Sequence, residues 1–246
     1  MNCYNLFADF YNRFMDCDYD KWSQFLVNHG CAGSGADLAC GTGNITFRLA
    51  DAGCDVTGFD ISESMLAVAE SLKKNQKNPV FVRQSLTDFN AFGKYDFVTC
   101  VCDGINYLKS TSEVKKTFQK VFASLKKGGV FIFDVSSEYK IKNILADNVF
   151  FEDDDDVTYF WRNSLSKNKV QMDLTFFVKK GELYDRFDET HFQYAYSEET
   201  LKNLKVFGVI SRYEDITKVL KLLSATRLVS FRYVNHKIMV VPYQRS

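Results

Sequence analysis

The stretch Ala36-Asp37-Leu38-Ala39-Cys40-Gly41-Thr42-Gly43-Asn44 restricts this chain more than any other, because an apolar run meets two closely spaced glycines and then a helix start. Val56-Thr57-Gly58-Phe59-Asp60 follows, a second apolar run that ends in a carboxylate. Glycines at 41 and 43 let the backbone turn sharply and approach a ligand closely, while a helix opening near Asn44 aims unpaired N–H groups at whatever lies there. Asp60 stands where a carboxylate accepts hydrogen bonds from both ribose hydroxyls. Strand, glycine turn, helix, strand and acid together predict a nucleoside-binding corner.

A nicotinamide dinucleotide would use the same corner, but its fingerprint needs a third glycine where this chain has Thr46. No Gly-Lys-Ser or Gly-Lys-Thr follows to make a triphosphate loop. An NAD-dependent dehydrogenase is therefore the weaker alternative.

With 246 residues, 46% of them hydrophobic, the chain can bury a full core, and its length suits one nucleotide-type domain with an elaboration. No apolar run is long enough for a membrane span, and Met1-Asn2-Cys3-Tyr4-Asn5 lacks the basic and apolar parts of a secretory signal. A cytoplasmic protein with reduced thiols is expected. The seven cysteines, at 3, 17, 31, 40, 54, 100 and 102, contain no C-x-x-C pair, so no structural metal is expected. Cys100 and Cys102 share a strand face and read as small apolar fillers. Charge is balanced, 31 basic against 31 acidic residues, which gives nucleic acid no general attraction.

Along the chain the first thirty residues read as helical, with Tyr4, Phe7, Tyr11 and Phe14 recurring three or four apart and Trp22, Phe25 and Leu26 continuing the stripe. From residue 34 the periods alternate: strands over 36–40, 55–59, 80–84, 95–101 and 129–134, and helices over 44–52, 62–74 and 111–126. Such alternation predicts a parallel sheet. Gly128-Gly129 reads as the end of the last of these helices. Residues 148–196 are rich in Phe, Tyr, Val and Thr with polar breaks, which predicts an antiparallel meander with strands near 157–163, 169–179 and 183–195. A helix near 197–206 and strands near 209–215 and 227–240 should rejoin the main sheet. The run Glu152-Asp153-Asp154-Asp155-Asp156 reads most simply as a solvated loop, with attraction of a cationic amine as the sharper alternative.

Asp37-Leu38-Ala39-Cys40-Gly41-Thr42-Gly43-Asn44 resembles motif I of the class I S-adenosylmethionine-dependent methyltransferases. Asp60-Ile61-Ser62-Glu63-Ser64-Met65-Leu66 resembles that family's acidic strand end, Tyr95 to Cys100 its fourth strand, and Leu125 to Asp134 its fifth. A narrower likeness, marked by Cys102-Asp103-Gly104-Ile105-Asn106-Tyr107-Leu108 and Tyr184 to His191, resembles a small bacterial branch related to sugar-amine and glycine N-methyltransferases. The resemblance implies an α/β fold: a Rossmann-like, doubly wound, mostly parallel sheet of seven strands with a small antiparallel sheet inserted after the fifth. It divides the chain into a core over 1–135, an inserted substrate wall or lid over 136–196, and a closing part over 197–246.

The implied activity is methyl transfer from S-adenosyl-L-methionine to a small molecule, nitrogen preferred over oxygen, leaving S-adenosyl-L-homocysteine. A non-catalytic binder of the same ligand is the alternative from another class. Base methylation is disfavoured, since the proline-containing motif of DNA amino-methyltransferases is missing after the fourth strand. A homodimer through the inserted sheet stays open. By resemblance Ala39, Gly41 and Gly43 lie near the methionine tail, Asp60 holds the ribose, Ile61 and Met65 wall the adenine, the backbone at Ser85 and Leu86 meets its edge, and Cys102 passes the methionine part. Relatives often carry Asp where Ser85 stands. Tyr11 is expected beside the reacting centre, and Asn106 and Tyr107 near the methyl or the acceptor. Among three histidines, His191 is the candidate base because it shares a strand face with Glu189, whereas His29 reads as a helix end and His236 as a turn.

Overall fold

The computed structural model describes residues 7–73, 76–204, 229–234 and 237–242. Its central sheet comprises β1 (Ser34–Leu38), β2 (Asp55–Asp60), β3 (Val80–Arg83), β4 (Tyr95–Cys100) and β5 (Leu125–Phe133). They lie in the order β3-β2-β1-β4-β5, and all pairs are parallel. The α-helices among the described residues are α1 (Ala8–Phe14), α2 (Tyr19–Asn28), α3 (Asn44–Asp51), α4 (Glu63–Lys73), α5 (Thr111–Ser124) and α6 (Glu198–Asn203).

Side chains of β4 alternate between two cores, as the period of two requires. Val98 and Cys100 pack with Val114, Phe118 and Val121 of α5 and Leu201 of α6. Phe97 packs with Leu26 of α2 and Ile45 and Leu49 of α3. Helices thus cover both faces. Each fully buried Leu or Phe is worth roughly 1.5–3 kcal/mol, so the two apolar layers outweigh any single polar contact.

A second sheet follows β5: β6 (Val149–Asp153), β7 (Val157–Ser166), β8 (Lys169–Lys180) and β9 (Leu183–Tyr194) form an antiparallel meander in chain order. The even residues Val170, Met172, Leu174 and Phe176 of β8 are buried against Phe7 and Phe14 from α1 and against Ile141 and Leu145 of a π-helical turn, Lys140–Leu145. Helix α1 therefore belongs to the inserted sheet's core as much as to the nucleotide domain's edge.

Five strands, not seven, make the main sheet among the described residues. The expected closing strand at 227–240 is instead β10 (Val229–Val234) and β11 (Lys237–Pro242), a hairpin whose strands pair with each other. The expected strand at 209–215 and His236 fall outside the described residues. Helix α5 stops at Ser124, because Leu125 is already extended and pairs with Tyr95. The next pair is Phe97 with Val130, so Lys126 to Gly129 bulge from the sheet and the expected helix end at Gly128-Gly129 is part of a strand irregularity. The N-terminal stripe breaks at Met15 to Asp18, where Asp18 caps α2 by accepting from Lys21 N–H at 3.0 Å. The acidic run is not wholly a free loop: Glu152 and Asp153 lie in β6, and Arg13 on α1 pairs with Asp154 and with Asp156.

Candidate functional site

Strand order reverses at β1, whose neighbours are β2 and β4, and ligands of open α/β sheets bind at such a switch point beyond the strand carboxyl ends. A cavity of about 450 Å³ lies there, within the range of roughly 300–1,000 Å³ common to small-molecule sites. Ala39, at the exit of β1, has φ +54°, and Gly41 has φ +55°. A Cβ on Gly41 would meet nothing within 4 Å, so that backbone faces open space. Gly43 caps α3 at φ +83°, and a Cβ there would come within 2.8 Å of the Phe81 ring. Gly41 borders the cavity; Gly43 does not.

Asp60 ends β2 and also borders the cavity. One carboxylate oxygen accepts from Gly41 N–H and the other from Ser62 N–H, both at 2.8 Å. Each oxygen has a second lone pair, which leaves acceptor capacity toward the cavity. Burial pushes the Asp60 carboxyl above its ordinary pKa, with backbone hydrogen bonds from Ser62 and Gly41 opposing the shift. Beside it Ile61 is 51% exposed and Met65 is buried, both on the cavity wall. Ser85 and Leu86 continue that wall. The Ser85 hydroxyl donates to Asp88 Oδ2 at 2.9 Å, which brings a carboxylate to the rim three residues beyond the position where relatives have Asp. The Ser85 and Lys116 hydrogen bonds hold Asp88 below the usual carboxylate range.

After β4 the chain runs through two consecutive left-handed residues, Cys102 at φ +62° and Asp103 at φ +56°. Such strain persists only where surroundings over-determine it. Here Asp103 N–H donates to Asp134 Oδ1 at 2.9 Å, and the Asp103 carboxylate accepts from Ser136 Oγ at 2.8 Å and Gln193 Nε2 at 3.2 Å. Cys102 borders the cavity, with its sulfur 3.9 Å from that of Cys17. The Cys17 contact and burial push the Cys102 thiol up, so it is a neutral wall rather than a nucleophile.

The cavity lining is also aromatic: Tyr11 from α1, Tyr19 from α2, Tyr107, and Phe192 and Tyr194 from β9. Burial raises the Tyr11 and Tyr19 hydroxyls well above their ordinary pKa, which keeps both protonated.

Two expected residues lie elsewhere. Asn106 is fully buried and does not border the cavity. Its Nδ2 donates to the Ser136 and Tyr194 carbonyls at 3.2 and 2.9 Å, and its Oδ1 accepts from Ser136 N–H at 2.7 Å. A buried amide so occupied ties three segments together. His191 is 2% exposed, away from the cavity lining, with Nε2 at 3.0 Å from Glu189 Oε2. Its shared face with Glu189 is as expected, but that face looks into the inserted sheet's core. Arg186, on the other face, pairs with Asp188.

Asp37 and Asn12 were not singled out in the sequence. Asp37 is the first polar residue of the turn motif, 2% exposed, and accepts from Thr46 Oγ1 at 2.6 Å and Thr99 Oγ1 at 2.7 Å. Asn12 accepts from Thr42 and Asn44, across thirty residues of chain, and no local pattern announces it.

A family model described as a methyltransferase domain matches residues 36–129. The methyltransferase-family protein YqeM of Bacillus subtilis strain 168 is 39% identical over 209 residues, 81% of this chain and 85% of that protein. A crystal structure of an S-adenosylmethionine-dependent methyltransferase from Clostridium acetobutylicum superposes with TM-score 0.73 at 36% identity, covering 97% of this chain and 94% of that one. A dTDP-3-amino-3,6-dideoxy-alpha-D-glucopyranose N,N-dimethyltransferase of Streptomyces fradiae is 29% identical over 103 residues, 42% of this chain and 39% of its own length.

Proposed function

This chain belongs to the S-adenosylmethionine-dependent methyltransferases, and from that premise we propose that it methylates a small-molecule acceptor, nitrogen in preference to oxygen. One observation carries the proposal: the cavity is lined both by a glycine turn with an acid and by four tyrosines and Phe192. The first suits a nucleoside with a charged tail. The second suits a small organic acceptor, enclosed partly by β9 of the inserted sheet.

The residues fit the cosubstrate. Gly41 leaves room for close approach, Asp60 keeps acceptor capacity for ribose hydroxyls, and the exposed Ile61 side chain offers an apolar face for adenine. Ala39 and Gly41 would hold the methionine tail with Gly43 setting the turn, Met65, Ser85 and Leu86 the adenine, and Cys102 the methionine side. Asp88 would supply the acceptor that Ser85 lacks. When bound, S-adenosylmethionine supplies a methyl group activated by its sulfonium.

The chain's own task is alignment and exclusion of water. Holding reactants in near-attack geometry is worth on the order of 7–11 kcal/mol, more than a typical general base contributes. Tyr11, Tyr107 and Tyr194 would orient the acceptor. An amine that loses its proton in solution then needs no fixed base, which agrees with His191 being away from the cavity. The sugar-amine relative supports nitrogen.

Thermal shift with S-adenosylmethionine, S-adenosylhomocysteine, NAD and NADP tests the cosubstrate, because a ligand of the folded state raises stability by mass action. Stabilisation by NAD alone would overturn the assignment. A screen of amines, amino-sugar nucleotides and hydroxy compounds for S-adenosylhomocysteine release tests the acceptor. Turnover of hydroxy compounds without any amine would reverse the preference for nitrogen.

A further inference from the structure

Helix α1 is joined by polar contacts to both halves of the molecule. At its start Phe7 N–H donates to Glu189 Oε1 of β9 at 3.0 Å, and near its end Arg13 pairs with Asp154 and Asp156 at the β6–β7 turn. Toward the nucleotide domain the contact is made by Asn12. Its Oδ1 accepts from Thr42 Oγ1 at 2.6 Å and from Asn44 Nδ2 at 2.7 Å. Asn44 Nδ2 also donates to Thr42 Oγ1 at 3.0 Å, so the three side chains close a ring. Thr42 is 1% exposed, whereas Asn12 itself lies at the surface, so the ring ties the buried Thr42 hydroxyl to an exposed amide. Thr42 and Asn44 border the cavity, as does Tyr11, the neighbour of Asn12.

We infer that Asn12 is a positioning residue for methyl transfer: it docks α1 onto the glycine turn, fixing the turn from the side opposite Asp60 and holding Tyr11 against the methionine end of the cosubstrate. This rests on the methyltransferase reading and adds a residue to it. Asn12 acts through Thr42, Asn44 and Tyr11, not by touching the ribose or adenine. Its loss therefore weakens ligands that carry the amino-acid tail and spares those that lack it. Both donors meet one oxygen, so a carboxylate at position 12 keeps the contact.

Isothermal titration of the full chain with S-adenosylhomocysteine and with 5′-methylthioadenosine, which lacks the tail, tests this. Asn12→Ala should weaken S-adenosylhomocysteine about tenfold, the scale of one or two lost hydrogen bonds, and 5′-methylthioadenosine less than about twofold. Asn12→Asp should recover most of the loss. Asn44→Ala, which removes one donor, should show the same selectivity at smaller size. A merely structural role would weaken both ligands alike and would not be rescued by Asp. Equal loss for the two ligands, no loss, or Asn12→Asp as weak as Asn12→Ala would each overturn the proposal while wild-type binding leaves the methyltransferase reading intact. Wild-type protein that binds neither ligand would overturn both.

Discussion

Two carboxylates at the rim of the sheet do different work, and their surroundings explain why. Asp37 is held by two hydroxyls in a dry place, and burial pushes its carboxyl up to about 6 from an ordinary 3.8. A raised carboxyl pKa means that the folded state keeps a proton the unfolded chain releases. Stability from this group is whole below about pH 4, falls as pH rises toward 6, and stays lowered above it. Asp37→Asn removes that penalty and can keep one hydroxyl contact. Its stability relative to wild type should therefore be more favourable at pH 7.5 than at pH 4.5, by on the order of 1–3 kcal/mol, read from urea unfolding at the two pH values. A difference of the opposite sign would show that Asp37 gains more from its threonines than burial takes away. Asp60 borders the same cavity as Asp37 but accepts two backbone N–H bonds and has lone pairs to spare. Asp60→Asn should weaken S-adenosylhomocysteine about 10- to 100-fold, the worth of charge-assisted hydrogen bonds, with titration calorimetry as the measurement. Unchanged affinity would remove Asp60 from the ribose.

At the scale of elements, the alternation of strands and helices from residue 34 to 134 was legible because each strand is an apolar run between polar breaks. Its errors have physical causes. Lys126-Lys127-Gly128-Gly129 carries the residues of a helix end, yet Leu125 already pairs with Tyr95 and the four residues bulge away. Ala39, Gly41, Asp60, Ile61 and Met65 border the cavity while Gly43 does not; a turn motif is local and the strand ends it joins are fixed by the sheet. Asn106 lies off the cavity because its partners are 30 and 88 residues away, at Ser136 and Tyr194. A polar residue in a loop near a site has two destinies, ligand contact or internal tether, and only distant partners decide between them. The tether makes a prediction. Asn106→Ala leaves the Ser136 N–H and two carbonyls without partners in a buried place, which should lower stability by about 2–4 kcal/mol. Affinity for S-adenosylhomocysteine in the variant, measured where it is still folded, should change less than about threefold. A stable variant with lost affinity would return Asn106 to the site.

The whole molecule joins a nucleotide domain to a four-stranded elaboration, and the seams between them determine whether they behave as one body. Asn106 bonds to β9, the Asp103 carboxylate to Gln193 of β9, and Asn12 on α1 to the glycine turn, while Phe7 and Phe14 of α1 fill the elaboration's core. Separation would trade each of these bonds for one to water at a net cost of about 0.5–1.5 kcal/mol, and would expose the buried rings of Phe7 and Phe14 at roughly 1.5–3 kcal/mol each. That exceeds the small net stability an isolated four-stranded sheet could hold, and the two parts should therefore unfold together. The chain has two tryptophans, and they report on opposite sides of the seam: Trp22 lies in α2 and Trp161 in β7. In the variants Trp22→Phe and Trp161→Phe the remaining indole follows one part. Urea curves from the two variants, each normalised and corrected for the stability change measured by circular dichroism, should coincide in midpoint and slope. S-adenosylhomocysteine at a hundred times its dissociation constant should add about 2.7 kcal/mol and move both curves equally, although the turn and acid proposed to hold it belong to the nucleotide domain alone. If Trp161 loses its signal at lower urea than Trp22, or its curve ignores the ligand, the inserted sheet is an independent unit, and the wall it lends to the cavity opens without unfolding the cosubstrate site.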